Sequence, residues 1–151
     1  MQNNSTPVAS DLLLGTLAEF RYELRRFLHF SERAALEAGL QPQQHQLLLQ
    51  VAGAPEKVPV TISYAAERLG LKHNSTVELV DRSEREGLLT RTLDPKDKRR
   101  AILRMTRKGK QLLDRLADDH AQEINELAPR LMKALELIRL QALTHVVAET
   151  R

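Results

Sequence analysis

The chain contains no cysteine. A disulfide framework, a thiol redox sensor and a thiolate metal site are thereby excluded. No apolar run approaches the roughly 20 residues needed to span a bilayer. The start, MQNNSTPVASD, has neither the basic n-region nor the apolar stretch of a secretory signal, so a soluble, cytoplasmic protein is expected, with no membrane partner. Internal repeats and low-complexity tracts are absent. Common catalytic signatures are missing too. The five histidines (His29, His45, His73, His120, His145) are scattered over separate segments, without an HExxH, P-loop or nucleophile pattern. Neither an enzyme nor a cofactor is expected. A metal site using His29, His120 or His145 with Asp119 or Glu123 would need ligands that the sequence does not cluster.

What is present is an uneven charge. At 151 residues the chain most simply forms one domain with its own core. Its formal net charge is only +3, yet residues 72 to 110 hold 12 Lys/Arg against 6 Asp/Glu, while the rest holds 11 against 14. Positive charge gathered onto one module of an otherwise mildly acidic chain is the footprint expected for a polyanion partner. The plainer reading is a solvated charged surface.

The hydrophobic spacing predicts a mainly α fold. Ser10 or Asp11 caps a long helix to about Ala38, stopped by Gly39. Pro42 opens a second helix ending near Gly53-Ala54-Pro55. Lys57 to Val60 form an extended connection, suited to one strand of a small sheet. Thr61 or Ser63 caps a third helix, ended by Gly70, in which Ala65-Ala66 permit close helix crossing. A fourth runs from about Asn74 to Glu86. Leu88–Leu93 and Arg100–Met105 alternate as two short strands. Thr106 to about Ala128 reads as a fifth helix, Pro129 as a break or kink, and Arg130 to about Glu149 as a sixth. The apolar surface of the first and last helices exceeds what one small module covers, and a symmetric two-chain interface is the economical answer.

Helix, turn, helix, then a hairpin with a basic loop is a winged helix-turn-helix. A helix presented after a tight turn fits the DNA major groove. On a helical wheel Thr76, Leu79, Val80 and Ser83 face the protein. The opposite side nominates Asn74, Ser75, Val77 and Glu78 for base edges, because Asn pairs with adenine, Glu accepts from cytosine and Val touches a thymine methyl. Lys72, His73, Arg82 and Arg85 are better placed for phosphates. Ser75-Thr76-Val77-Glu78 is equally a capping box, in which Ser75 and Glu78 would satisfy helix amides instead. The hairpin loop gathers Lys96, Lys98, Arg99 and Arg100. Asp97 is spaced to orient Arg99 by a charge-assisted pair, and a pre-set arginine suits the negative potential of a narrow minor groove. Arg91, Arg104, Arg107, Lys108 and Lys110 read as generic phosphate contacts or surface charges. A winged helix that docks protein instead would carry an apolar outer face on residues 74 to 85, whereas this face is polar.

Several segments together resemble the MarR family of bacterial transcription regulators. They are Gly39-Leu40-Gln41-Pro42, Ala65-Ala66-Glu67-Arg68-Leu69-Gly70, Leu79-Val80-Asp81-Arg82, Glu86-Gly87-Leu88-Leu89, and above all Asp94-Pro95-Lys96-Asp97-Lys98-Arg99-Arg100 with Leu103-Arg104-Met105-Thr106-Arg107-Lys108-Gly109. The resemblance implies a triangular homodimer, with residues 10–39 and 106–149 as dimerisation helices and 40–105 as the DNA-binding lobe. It implies a pseudo-palindromic double-stranded operator, Asp97 bracing Arg99 in the minor groove, and a repressor released by a small, often aromatic effector. A protein-docking module and a metal-responsive regulator are the rival functions. Phe20, Phe27 and His45, with Tyr22 and Tyr64, are either pocket lining or core. Three positions depart from the family pattern: Ser83 stands where leucine is usual, Met105 replaces a leucine, and His45 sits where an aromatic residue is common. The lack of cysteine removes the family's peroxide-sensing branch.

Overall fold

A computed structural model describes residues 11–149, with side chains through Leu143. Its elements are α1 (Asp11–Glu37), α2 (Pro42–Ala52), α3 (Ile62–Leu69), α4 (His73–Arg85), β1 (Leu89–Leu93), β2 (Ala101–Met105) and α5 (Arg107–Glu149). The backbone gathers into two compact units, a lobe of residues 31–120 and a helical unit of residues 11–30 with 121–149.

Each element of the lobe starts and stops for a local reason. Gly39 (φ 83°) and Gly70 (φ 64°) take the left-handed conformation that ends α1 and α3. Pro42 opens α2, and the Gln44 side chain accepts from the Gln41 amide at 2.9 Å. Thr61 is the cap of α3, its hydroxyl accepting from the Tyr64 amide at 3.2 Å. Ala65 and Ala66 are buried where α3 crosses its neighbours, and Leu47, Leu48, Val80, Leu88, Leu89 and Leu116 complete one continuous core. β1 and β2 pair antiparallel, Leu89 opposite Met105 through Leu93 opposite Ala101. The connection before α3 is not a third strand. It reaches the sheet through a single backbone bond, from the Leu103 amide to the Val60 carbonyl at 2.8 Å.

The sixth helix foreseen from Pro129 does not exist, because α5 runs through that residue. Proline costs the helix one amide and crowds the carbonyl four residues back. Here Pro129 and Asn125 are both exposed, so water can serve the carbonyl left without a donor. Within the helical unit, Arg130 Nε lies 3.1 Å from Glu23 Oε1, and Arg26 lies 3.6 Å from Oε2. Leu12, Leu14, Tyr22 and Leu28 of α1 and Ile124, Met132, Leu135, Leu140 and Leu143 of α5 are exposed. Ser10 and the side chains of His145, Val146 and Val147 lie outside the described residues.

One junction ties three elements of the lobe. Thr106 donates its amide to the Leu88 carbonyl (3.2 Å) and its hydroxyl to the Gly87 carbonyl (2.6 Å), and the same hydroxyl accepts from the Gly109 amide (3.1 Å), capping α5. The backbones approach so closely that a Cβ on Gly109 would stand 2.1 Å from the Leu88 carbonyl oxygen. Gly109→Ala is therefore expected to destabilise the lobe by about 1–3 kcal/mol or more. Urea unfolding checks this, and an unchanged midpoint would mean the junction is looser than described.

Candidate nucleic-acid interface

α4 and the wing carry the residues nominated from the sequence. The wheel is borne out, since Thr76, Leu79, Val80 and Ser83 are buried, while Asn74, Ser75, Glu78, Arg82 and Arg85 are exposed and Val77 half-buried. Ser83 needs no leucine's volume to settle, because its hydroxyl donates to the Leu79 carbonyl at 2.8 Å and stays satisfied while fully buried.

The capping box at Ser75 and Glu78 does not form. The helix begins earlier, with Lys72 as N-cap in extended conformation and without a side-chain cap. The left-handed turn at Gly70 delivers the chain so that the Lys72 carbonyl receives both the amide and the hydroxyl of Thr76, each at 3.0 Å. Ser75 and Glu78 thus lie inside the helix, as its third and sixth residues, and the N-cap gives the first-turn amides no side-chain bond. Amides in that state, at the positive end of the helix dipole, suit an anionic oxygen.

The loop from Asp94 to Arg100 is built on two aspartates. Asp94, whose side chain is only 4 % exposed, accepts from the Lys96 amide at 2.9 Å and from Arg100 Nε at 2.5 Å. These bonds, the Lys96 amide first, hold its carboxyl below the usual carboxylate range. Asp97 accepts from Arg99 Nε at 3.0 Å, from Nη2 at 3.2 Å and from the Arg99 amide at 3.1 Å, and the Arg99 side-chain bond leads in lowering its pKa. Arg99 is 91 % exposed nonetheless. An aimed but unburied guanidinium stands at the tip, beside exposed Lys96 and Lys98. Arg100, by contrast, is committed to the loop's own frame.

The family pattern described as MarR family matches residues 38–100. The uncharacterized HTH-type transcriptional regulator YkoM of Bacillus subtilis (strain 168) is 33% identical over 109 residues, 70% of this chain and 68% of that protein. The chain belongs to the MarR family. Among solved structures, Sco3205, a MarR family regulator from Streptomyces coelicolor in complex with DNA, matches with TM-score 0.69 at 19% identity, covering 98% of this chain and 92% of that one. CouR from Rhodococcus jostii RHA1, bound to p-coumaroyl-CoA, matches with TM-score 0.58 at 25% identity, covering 75% and 83%.

As a MarR-family lobe, the structure adds what residue spacing did not reveal. Arg91 is no generic surface charge. Its guanidinium bridges Asp81 (2.8 Å) and Glu84 (2.7 Å) of α4, and its own amide donates to Glu84 Oε1 at 3.3 Å. Lys108 Nζ likewise donates to the Glu86 carbonyl at 2.8 Å, and Lys110 pairs with Asp114. The groups that hold Arg91 and Lys108 come from other elements, whereas Lys110 and Asp114 are an i,i+4 pair within α5.

The residues weighed as effector lining are placed separately: Phe20 and Phe27, half-buried, in the helical unit, and His45, 2 % exposed, in the lobe. A cleft of about 780 Å³ lies between residues 51–60 and the wing, and another of about 530 Å³ lies in the helical unit. Neither is lined by those three side chains. His45 instead packs its ring 4.9 Å from that of His120. His120 Nδ1 lies 2.6 Å from the Leu116 carbonyl and must donate to it, so the neutral ring accepts from Ser31 Oγ at 2.8 Å. Among the described residues no partner satisfies His45 Nδ1. No group of three or more His, Cys, Asp or Glu that could hold a metal occurs among the described residues, and no helix there is long and apolar enough to cross a membrane.

Burial first, and the neighbouring His120 second, push the His45 pKa down to about 4 from 6.5. The folded lobe therefore refuses a proton that the unfolded chain accepts, so stability is lost as pH falls from about 6.5 toward about 4. Urea unfolding at several pH values should show wild type losing more stability over that window than His45→Leu. Parallel losses would remove His45 from the account.

Proposed function

We propose that this chain is a homodimeric, sequence-specific repressor that binds a pseudo-palindromic DNA operator and is released by a small aromatic effector. The observation that carries the reading is the pairing of an outward polar face on α4 with an exposed arginine braced at the wing tip. Asn74, Ser75, Val77 and Glu78 meet base edges in the major groove. Lys72, His73, Arg82 and Arg85 meet phosphates, and the first-turn amides of α4 add an anion cradle. Arg99, held by Asp97, enters the flanking minor groove, with Lys96 and Lys98 on its backbone. Arg100 contributes by keeping the loop in shape.

Dimerisation accounts for the leucines, isoleucine and methionine that α1 and α5 leave in water, since many large apolar side chains exposed on two helices favour an interaction site. A second copy would also supply the second reading head of a two-fold operator. The effector class leans on CouR, which carries p-coumaroyl-CoA. The protein acts by binding rather than catalysis, in the cytoplasm where its operator lies. A protein-docking role is disfavoured by the polar outer face of α4.

Affinity for a duplex recovered by selection on the wild type should fall steeply with salt. Some 6 to 10 phosphate contacts imply a loss of roughly 10³–10⁵ between 50 and 200 mM. Arg99→Ala should weaken binding on the order of 10- to 100-fold while the dimer stays folded. Unchanged affinity in that titration would remove the wing from the interface. Substituting Asn74 or Val77 should alter the bases recovered in a repeated selection, and an unchanged consensus would shift base reading elsewhere.

A further inference from the structure

Arg91 and Leu103 face each other across the hairpin. The amides of this pair both point away from the ladder, as they do in a non-hydrogen-bonded antiparallel pair. Each is taken by a flanking element, the Arg91 amide by Glu84 of α4 at 3.3 Å and the Leu103 amide by the Val60 carbonyl at 2.8 Å. The wing is thus gripped on both edges at one rung. On the α4 side the grip is a chelate, because Glu84 also receives Arg91 Nε (3.0 Å) and Nη2 (2.7 Å), and Asp81 receives Nη2 at 2.8 Å.

We propose that Arg91 is a positioning residue for DNA recognition, which sets the angle between α4 and the wing and neutralises two acids on the DNA-reading helix. The proposal rests on the DNA-binding reading above. Its logic is that of a lever. The wing tip lies beyond the rung by at least three residues, roughly 10 Å at about 3.4 Å per residue. A tilt of 10° there moves Arg99 by ~2 Å, more than a hydrogen bond tolerates. Charge works in the same direction. Asp81 and Glu84 flank Arg82, which with Arg85 forms the phosphate-facing end of α4, and unpaired carboxylates there would repel the duplex. Arg91, half-buried, has Nε and Nη2 taken by two carboxylates, so its charge is already paired within the lobe.

The test uses the full-length dimer and the selected duplex. Arg91→Ala should weaken binding on the order of tenfold with the salt slope unchanged, because no phosphate contact is lost. Glu84→Ala should also weaken binding, although it deletes a negative charge facing a polyanion. The losses should not add: in an Asp81→Ala/Glu84→Ala background, Arg91→Ala should cost nothing further. A tighter-binding Glu84→Ala, additive losses, or a slope that falls by about one on losing Arg91 would each make Arg91 a phosphate contact and overturn the proposal. Should Arg91→Ala fail to fold, Arg91→Lys and Glu84→Gln decide by the same signs, since each keeps its side chain's bulk but breaks the fork. A wild type that selects no duplex would instead sink the DNA-binding reading and this role with it.

Discussion

Everything the lobe offers to a partner depends on the close backbone approach at Gly87, Leu88, Thr106 and Gly109. There the end of α4, the first strand of the wing and the start of α5 are joined by main-chain groups. The Leu88 amide donates to the Ser83 carbonyl at 2.9 Å, its carbonyl accepts from Thr106, and the Thr106 hydroxyl closes the first turn of α5. Main-chain bonds buried among Leu88, Leu89 and Leu116 leave little freedom, since breaking them would strand polar groups in an apolar core. The helix and the hairpin are therefore joined at this end by main-chain groups, and Arg91 ties them again further along β1.

That rigidity gives meaning to the way charge is distributed. The lobe's excess of cations divides into two populations. Arg91, Arg100, Lys108 and Lys110 are bound to carboxylates or carbonyls and hold the frame. Lys72, Arg82, Arg85, Lys96 and Lys98 are exposed and project from it. Arg99 belongs to both, aimed by Asp97 yet open to solvent. Exposed ion pairs of this kind add little stability. At the wing tip such a pair sets a direction, since Asp97 holds the Arg99 guanidinium while leaving it open to solvent.

How much of this was legible in the sequence follows from the range of each interaction. The wheel of α4 and the Asp97–Arg99 brace lie within one helix or one loop, so periodicity and spacing place them. The extended stretch before α3 was read as sheet-forming, and only one of its carbonyls reaches the sheet. Arg91 cannot be placed from spacing, because its partners are seven and ten residues away on another element, and no local pattern records that. Ser75 and Glu78 form a true capping pattern that tertiary context overrode, since the glycine turn starts α4 earlier. Pro129 costs α5 one amide, yet the helix continues through it, with Asn125 and Pro129 both exposed. His45 forms half of a buried histidine pair, a contact that spans α2 and α5 and that no local pattern records.

The central claim is that two identical, internally rigid readers meet one duplex, each bringing a helix and a wing at a fixed separation. Hydroxyl-radical footprinting of the wild-type protein on its selected site measures this most directly. The account predicts two equivalent protected segments centred about one helical turn apart, roughly 10–10.5 base pairs, each flanked outward by a protected minor groove. One unpaired segment, or protection lacking the outer minor-groove flanks, would contradict it.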